Sequence, residues 1–578
     1  MSAYSDIRLH RRASIVGVLF ILMLIVIMTQ AIRVHVVKGP WLSERASREY
    51  ERAQVIQGKR GSLRDRNGNP LAVSIDGLSV AAYPRRIAEP EKIIPKLAVA
   101  LEKPEKAIQA DLNSNRKFVW LSRKVTPRHV EAVRSLEVEG IDFIGEHGRL
   151  YPNKTLAAQL VGFSGDDGHG LEGLEFFFNA ELAGRKQSIT FMRDALGRRF
   201  EGERSEDPLI RGNDVILTID TTIQYIAQKA LKSSVAEYRA KSGIAIVMVP
   251  TTGEILAMAH EPVFNPNQYR EADRSVWRNR AVTDLFEPGS TLKIFSTAAA
   301  LDSDSCSAET TFFCENGKYR IGNHTISDTK PHGWLSVQEI VKYSSNIGTV
   351  KMAQQLGAKK LYAYLSGFGF GERTNVTCPG EAHGSLSPYR SWTTMDMSAI
   401  SFGHGISVTA IQLITAASAI ANNGMLMKPQ LVRAVVAPNG EVLRTGAPEP
   451  VRQVISPHTA ALMREILETV IAKGGTGANA ALKGYRVCGK TGTARKLDST
   501  GAYSRDTHIA SFVGFAPAER PEIAILVIVD EPVRMHYGGA VAAPAFKQIA
   551  VETLSYLNIP PGYDTNLLRV SHDGGIER

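Results

Sequence analysis

Apolar and polar positions divide the chain sharply at its start. Residues 13–32 read ASIVGVLFILMLIVIMTQAI, twenty positions without a charge. As a helix this run reaches about 30 Å, the thickness of a bilayer's hydrocarbon core. Arg8, His10, Arg11 and Arg12 precede it, and Arg33, His35 and Lys38 follow. The compact basic cluster on the short side favours an amino terminus held in the cytoplasm. A cleaved signal would carry an apolar stretch of about 7–15 residues ending in a small-residue site. This run is longer and no such site follows. The pattern therefore predicts a cytoplasmic tail at 1–12, an uncleaved transmembrane anchor at 13–32, and later residues outside the cytoplasm.

Past residue 33 the pattern breaks into short elements. The stretch 33–205 is charged, with apolar runs at 73–83 and 118–121. Asp65-Arg66-Asn67-Gly68-Asn69-Pro70 predicts a turn, because Asn and Gly accept left-handed backbone and Pro fixes its own φ. Residues 201–213 carry Pro208 and Gly212 among charges and read as a linker. Residues 214–220 (DVILTID) predict a strand, and 221–240 an amphipathic helix capped by Thr221 or Thr222. Two apolar runs, 243–249 and 254–259, joined by Pro250-Thr251-Thr252-Gly253, predict a hairpin; 510–515 and 522–529 predict a second strand pair. Helical patterning fills the interval. Strands at both ends with helices between predict one sheet assembled from distant segments, with helices on its faces. Residues 560–578 are poor in apolar side chains and read as a frayed tail.

Composition narrows the function. With 578 residues, 44% hydrophobic and 22% charged, the chain is neither disordered nor fibrous. Its net charge of +10 is modest for the length; it is compatible with acidic partners and does not by itself make a nucleic-acid binder. Four cysteines exclude a disulfide-built scaffold. Cys306 and Cys314 are spaced so that they either pair or stay free, and Cys488 reads as small packing. The fourteen histidines show no metal-binding spacing, so no metal or cofactor is expected, and His404 and His508 read as structural. Gly367-Phe368-Gly369-Phe370-Gly371 reads as a tight turn, since no strand–helix unit with a later acidic partner surrounds it.

The most informative stretch is Glu287-Pro288-Gly289-Ser290-Thr291-Leu292-Lys293. Pro and Gly break the incoming chain before an apolar helix, so Ser290 sits at a helix amino terminus, with Lys293 three residues on along the same face. A lysine embedded in such a helix loses proton affinity by desolvation and becomes a candidate general base. The same spacing at Ser114 and Lys117, inside NSNRK, reads as solvated surface. Ser344-Ser345-Asn346 follows a predicted helix at 336–343, and Lys490-Thr491-Gly492-Thr493 opens a predicted strand. In the order S-x-x-K, S-x-N, K-T-G these match the serine acyl-enzyme set, with Ser345 where the set is often written with aspartate.

On these motifs the chain resembles the class B penicillin-binding proteins, the membrane-anchored D,D-transpeptidases that cross-link peptidoglycan. Arg60-Gly61-Ser62-Leu63-Arg64-Asp65-Arg66-Asn67-Gly68, Arg149-Leu150-Tyr151-Pro152 and Gly170-Leu171-Glu172-Gly173-Leu174-Glu175 resemble the hallmarks of that family's non-catalytic pedestal. Ser401-Phe402-Gly403-His404-Gly405 resembles its glycine-flanked entry to a helix that ends near 418–421. Within the family, the runs around Ser290, Asn346 and Lys490 are most similar to the division-specific FtsI type. The resemblance implies an α+β fold: a loop-rich pedestal of the dimerisation type at 33–205, then a transpeptidase domain at 212–558 built on an antiparallel sheet packed with helices, and a tail at 559–578. Two departures stand out, Val249 before Pro250 where an acidic residue is usual, and Lys154 where glycine is commoner.

The resemblance also implies roles. Ser290 attacks the bond between the terminal D-alanines of a stem peptide, Lys293 takes its proton, Ser344 relays a proton to the leaving amine, and Asn346 steadies Lys293 and the substrate. Lys490 with Thr491, Gly492 and Thr493 holds the terminal carboxylate. The Ser290 and Thr493 backbone N–H groups make the oxyanion hole. Implied partners are lipid II-derived stem peptides, β-lactams, an FtsW-type glycosyltransferase with other divisome proteins, and the inner membrane, with the catalytic domain periplasmic. Alternatives with the same motifs are an elongation-specific transpeptidase, a β-lactam sensor or β-lactamase-like protein, and a divisome scaffold without catalysis.

Overall fold

A computed structural model of the chain describes residues 3–42, 51–193, 199–200, 210–497 and 502–562. Parts of the expected pedestal (43–50, 194–198), most of the linker (201–209) and the tail from 563 lie outside the described residues. The chain divides into two compact units, Met1–Gly58 with Gly184–Arg211, and Lys59–Ala183 with Gly212–Arg578.

The first unit holds the helix Ala3–Ile32 and a small antiparallel sheet of Glu51–Gln57, Lys186–Arg193 and Arg199–Phe200. The helix starts ten residues before the apolar run, so the basic cluster at Arg8–Arg12 rides on it as well. Its large apolar side chains face outward all round, Phe20 being 65% exposed. An apolar helix of this length, covered by none of the described residues, fits a single-pass membrane anchor.

In the second unit the five-stranded sheet runs in the order Ile255–Glu261, Ser242–Met248, Ile523–Asp530, Tyr503–Ala516, Cys488–Leu497, with every neighbouring pair antiparallel. Both sequence-predicted pairs are therefore present and adjoin in one sheet. Ser242–Met248 is buried along its whole length because helices cover both faces. A side chain on Gly243 would strike Leu231 and Val235 of the helix Thr221–Glu237, while Met248, five residues on, meets Ser418 of the helix Ala410–Ala421. The first of those helices is capped by Asp220, whose carboxylate accepts from the N–H groups of Thr222 and Ile223. That corrects the expected threonine cap: the strand DVILTID ends at Leu217, which leaves Asp220 free to turn its side chain back.

Asp214–Leu217 joins a different sheet of seven strands. It lies parallel to Leu63–Arg64 and antiparallel to Val432–Val436. One hydrophobic core accordingly runs from Leu63 and Phe163 through Val215 to Leu526 and Phe546, and a smaller one gathers Val80, Leu97 and Leu121. The three hallmark runs of the pedestal converge on Glu175, which is fully buried. Its two carboxylate oxygens take Arg60 Nε and Arg149 Nε, each at 2.6 Å, while Arg60 also reaches Asn179 Oδ1 at 2.7 Å and Arg149 reaches Gly61 O at 2.7 Å. Lys154 adopts a φ of 51°, the left-handed region that suits the glycine commoner there. Gly367 ends a helix and Gly369 and Gly371 turn the chain, as the sequence predicts.

Candidate active site

Three segments distant in sequence meet at Ser344. The first is the tight turn Gly289–Leu292 and the helix Lys293–Asp302 that continues it. Gly289 (φ 53°) and Gly403 (φ 92°) let this turn sit against its neighbours: Gly289 N–H donates to Gly403 O at 3.1 Å, and a Cβ on Gly403 would fall 2.1 Å from Gly289 O. The second is the junction between the helices Val337–Tyr343 and Asn346–Leu356. Ser344 closes the first helix in left-handed backbone, φ 61°, and Ser345 caps the second by accepting Gly348 N–H. The third is the edge strand Cys488–Leu497.

The side chains interlock. Lys293 is fully buried, and its ammonium donates to Ser344 O at 2.6 Å, Asn346 Oδ1 at 2.7 Å and Ser344 Oγ at 3.2 Å. Lys490, also fully buried, donates to the same Ser344 hydroxyl at 2.9 Å and to Thr491 O at 3.1 Å. Burial pulls the Lys293 pKa down to about 7, opposed by the charge of Asp328. Burial, and then the Lys293 charge, push Lys490 well below the ordinary lysine range. Two desolvated amines thus share one hydroxyl, an arrangement suited to passing protons rather than to storing charge.

Ser290 is partly exposed at the head of its helix, and among the described residues its hydroxyl makes no hydrogen bond. The hydrogen bonds of the Lys293 ammonium go to the Ser344 junction, while the three-residue spacing keeps Lys293 on the Ser290 face. Thr491 is nearly buried and donates to the Thr476 hydroxyl at 3.1 Å, and Thr493 Oγ1 accepts Gly538 N–H at 3.2 Å. Gly492 packs so closely on the Ser290 turn that a Cβ would stand 2.8 Å from Thr291. A Cβ on Gly289 would stand 2.9 Å from Thr493 O, so that carbonyl faces the turn. In an antiparallel strand a residue's N–H and C=O point the same way, so the Thr493 N–H faces the turn too.

Asp328 escaped the sequence reasoning. Its carboxylate receives Asn346 N–H at 2.5 Å, Ile347 N–H at 3.1 Å and Ser345 Oγ at 2.6 Å, at the amino end of the helix that carries Asn346. It comes from a polar loop, SDTKP, with no periodicity or spacing to mark it. Ser345, the departure from the aspartate form of the motif, is the hydroxyl that binds it. His404 is neutral, its pKa brought down to about 4 by burial and then by the charges of Lys293 and Arg495, and its ring lies edge-on to Tyr503. Cys306 and Cys314 are unpaired thiols. Cys488 is buried and donates to Arg464 O. Lys117 is exposed, which leaves the second S-x-x-K on the surface.

Residues 243–550 match the penicillin-binding protein transpeptidase domain and residues 55–217 the penicillin-binding protein dimerisation domain. The chain belongs to the class B penicillin-binding proteins. It is a transpeptidase of the FtsI-like kind. The chain is 33% identical over 518 residues to the peptidoglycan D,D-transpeptidase FtsI of Escherichia coli, covering 88% of this chain and 86% of that one. It is 34% identical over 566 residues to the stage V sporulation protein D of Bacillus subtilis, covering 96% and 87%. Among solved structures, penicillin-binding protein 3 of Mycobacterium tuberculosis complexed with aztreonam superposes with a TM-score of 0.69 at 29% identity, covering 88% of this chain and 98% of that one.

Proposed function

We propose that this class B enzyme cross-links peptidoglycan stem peptides at the division septum through an acyl-enzyme on Ser290. The observation that carries the chemistry is the buried pair Lys293 and Lys490 converging on the Ser344 hydroxyl. Neutral Lys293 takes the Ser290 proton as Oγ attacks the carbonyl between the two terminal D-alanines. Ser344, between the two amines, passes that proton to the departing D-alanine nitrogen. Asn346 holds Lys293 on one side and the substrate amide on the other. The Ser290 and Thr493 N–H groups receive the oxyanion, a contribution of about 3–4 kcal/mol per donor. Lys490, Thr491 and Thr493, with close approach allowed at Gly492, receive the terminal carboxylate. The acceptor amine then attacks the ester and regenerates Ser290. A β-lactam acylates the same serine as a mimic of the D-alanyl-D-alanine end.

The FtsI and penicillin-binding protein 3 likenesses favour a septal role, with the helix Ala3–Ile32 anchoring the protein, the catalytic unit outside the cytoplasmic membrane, and an FtsW-type glycosyltransferase as partner. The test of the chemistry is labelling with a fluorescent penicillin. Wild type acquires the label and Ser290→Ala does not; equal labelling of both ends the acyl-serine proposal. Depletion in cells tests the role: filaments support septal action, whereas rounded, widened cells point to the elongation branch.

A further inference from the structure

The hairpin Lys318–Ile321 with His324–Ser327, together with the loop after it, carries charges that the transpeptidase chemistry leaves unused. In its register Lys318 stands opposite Ser327 and Arg320 opposite Thr325. Alternation places Lys318, Arg320, Thr325 and Ser327 on the solvent face, while Tyr319 and Ile326 turn inward, Tyr319 OH meeting Gln354. Lys330 is exposed just beyond. Between residues 318 and 342 there are four lysines and arginines against two carboxylates, and both carboxylates are engaged: Asp328 in the Asn346 junction and Glu339 in a capping box with Ser336. Among the described residues Lys318, Arg320 and Lys330 enter no ion pair.

The hairpin adjoins the reaction centre directly. Ser327 O accepts the Asn346 side-chain amide at 2.9 Å, and the same amide's Oδ1 accepts Lys293. Lys318 is thus one strand removed from the residue that steadies the general base. An open basic edge beside a site whose second substrate arrives as a peptide amine attracts carboxylates more than it attracts neutral chains.

We infer that this hairpin docks the acceptor, an acidic peptide bearing both free carboxylates and the nucleophilic amine; this rests on the transpeptidase reading above. In the step it serves, the acceptor nitrogen forms an amide to the acyl carbon and the ester bond to Ser290 Oγ breaks. The amine's proton returns to Oγ through Lys293 and Ser344. Lys318, Arg320 and Lys330 touch only the acceptor's carboxylates, so acylation by the donor or by a penicillin does not depend on them.

The test uses the full chain in detergent and separates the two readings. A fluorescent acidic peptide and its fully amidated, uncharged counterpart are titrated by anisotropy into Ser290→Ala protein, with and without Lys318→Gln, Arg320→Gln and Lys330→Gln together. The triple change should weaken the acidic peptide by about tenfold, leave the amidated one unaltered, and erase the salt dependence of the former. In the background with Ser290 intact, the triple variant should label with penicillin at the wild-type rate. Equal affinity of both backgrounds for the acidic peptide overturns the docking role. Loss of binding to anionic lipid vesicles with unchanged peptide affinity also overturns it, assigning the edge to the membrane surface. Unlabelled wild-type protein would instead bring down the acyl-serine reading, which the peptide titration does not use.

Discussion

Lys293 offers the sharpest test of the proposed site, because as the base its environment would set the pH at which acylation begins. An ordinary lysine titrates at 10.5; burial brings this one to about 7, with Asp328 holding it from falling further. At neutral pH about half of the Lys293 side chains are therefore neutral, against about 0.03% for a solvated lysine, a gain of about a thousandfold in available base. In the proposed mechanism only the neutral amine takes the Ser290 proton, so the rate should rise with pH. Measured as the second-order constant for penicillin labelling from about pH 5 to about pH 9, acylation should climb about tenfold per unit below neutrality and level off above it. Asp328→Asn removes a negative charge that favours the ammonium, so the inflection should move to lower pH. An inflection near that of ordinary lysine, or an upward shift in Asp328→Asn, would refute the assignment of Lys293 as the base.

Other expectations concern the scaffold that holds the site. Glu175→Ala strands two buried guanidiniums, Arg60 and Arg149, and should cost about 3–5 kcal/mol in denaturant unfolding; a loss below about 1 kcal/mol would mean that water takes over the carboxylate's role. Lys154→Gly relieves left-handed backbone and should raise stability by about 1 kcal/mol in the same assay, whereas a decrease would show that the lysine side chain outweighs the strain. Gly403→Ala places a methyl 2.1 Å from Gly289 O and should slow penicillin labelling by about a hundredfold through displacement of the Ser290 turn. Unchanged labelling would show that the turn yields at no cost.

Much of this molecule is written locally. The 20-residue apolar run, the hairpin around Pro250–Gly253 and the capped helix ahead of Ser344 depend on contacts within a few residues, so periodicity and turn chemistry disclose them. The three motifs are legible because each must present a fixed residue type to the chemistry. What spacing could not supply is direction. Three residues along a helix put Lys293 on the Ser290 face, yet the fold gives its ammonium three acceptors at 344 and 346 and none at 290. Asp220 displaced the threonine cap for a similar reason, since the end of a strand is set by its partner strands.

Asp328 marks the remaining boundary. Nothing in SDTKP distinguishes it from a solvated loop carboxylate; it matters because the fold brings that loop to the amino end of the helix bearing Asn346, where three donors await a negative charge. The meeting of Arg60, Arg149 and Glu175 is likewise a fact of three dimensions: Glu175 lies 26 positions from Arg149 and 115 from Arg60, and the three explain one another only when buried together. The chain's own pattern disclosed its family, an apolar helix that fits a membrane anchor, and the three motifs proposed to carry its chemistry, because those rest on local periodicity and on what the reaction demands. Tertiary structure decided which groups share a hydrogen-bonding hydroxyl and which carboxylate braces them, because desolvation and hydrogen-bond geometry arise only where distant segments pack.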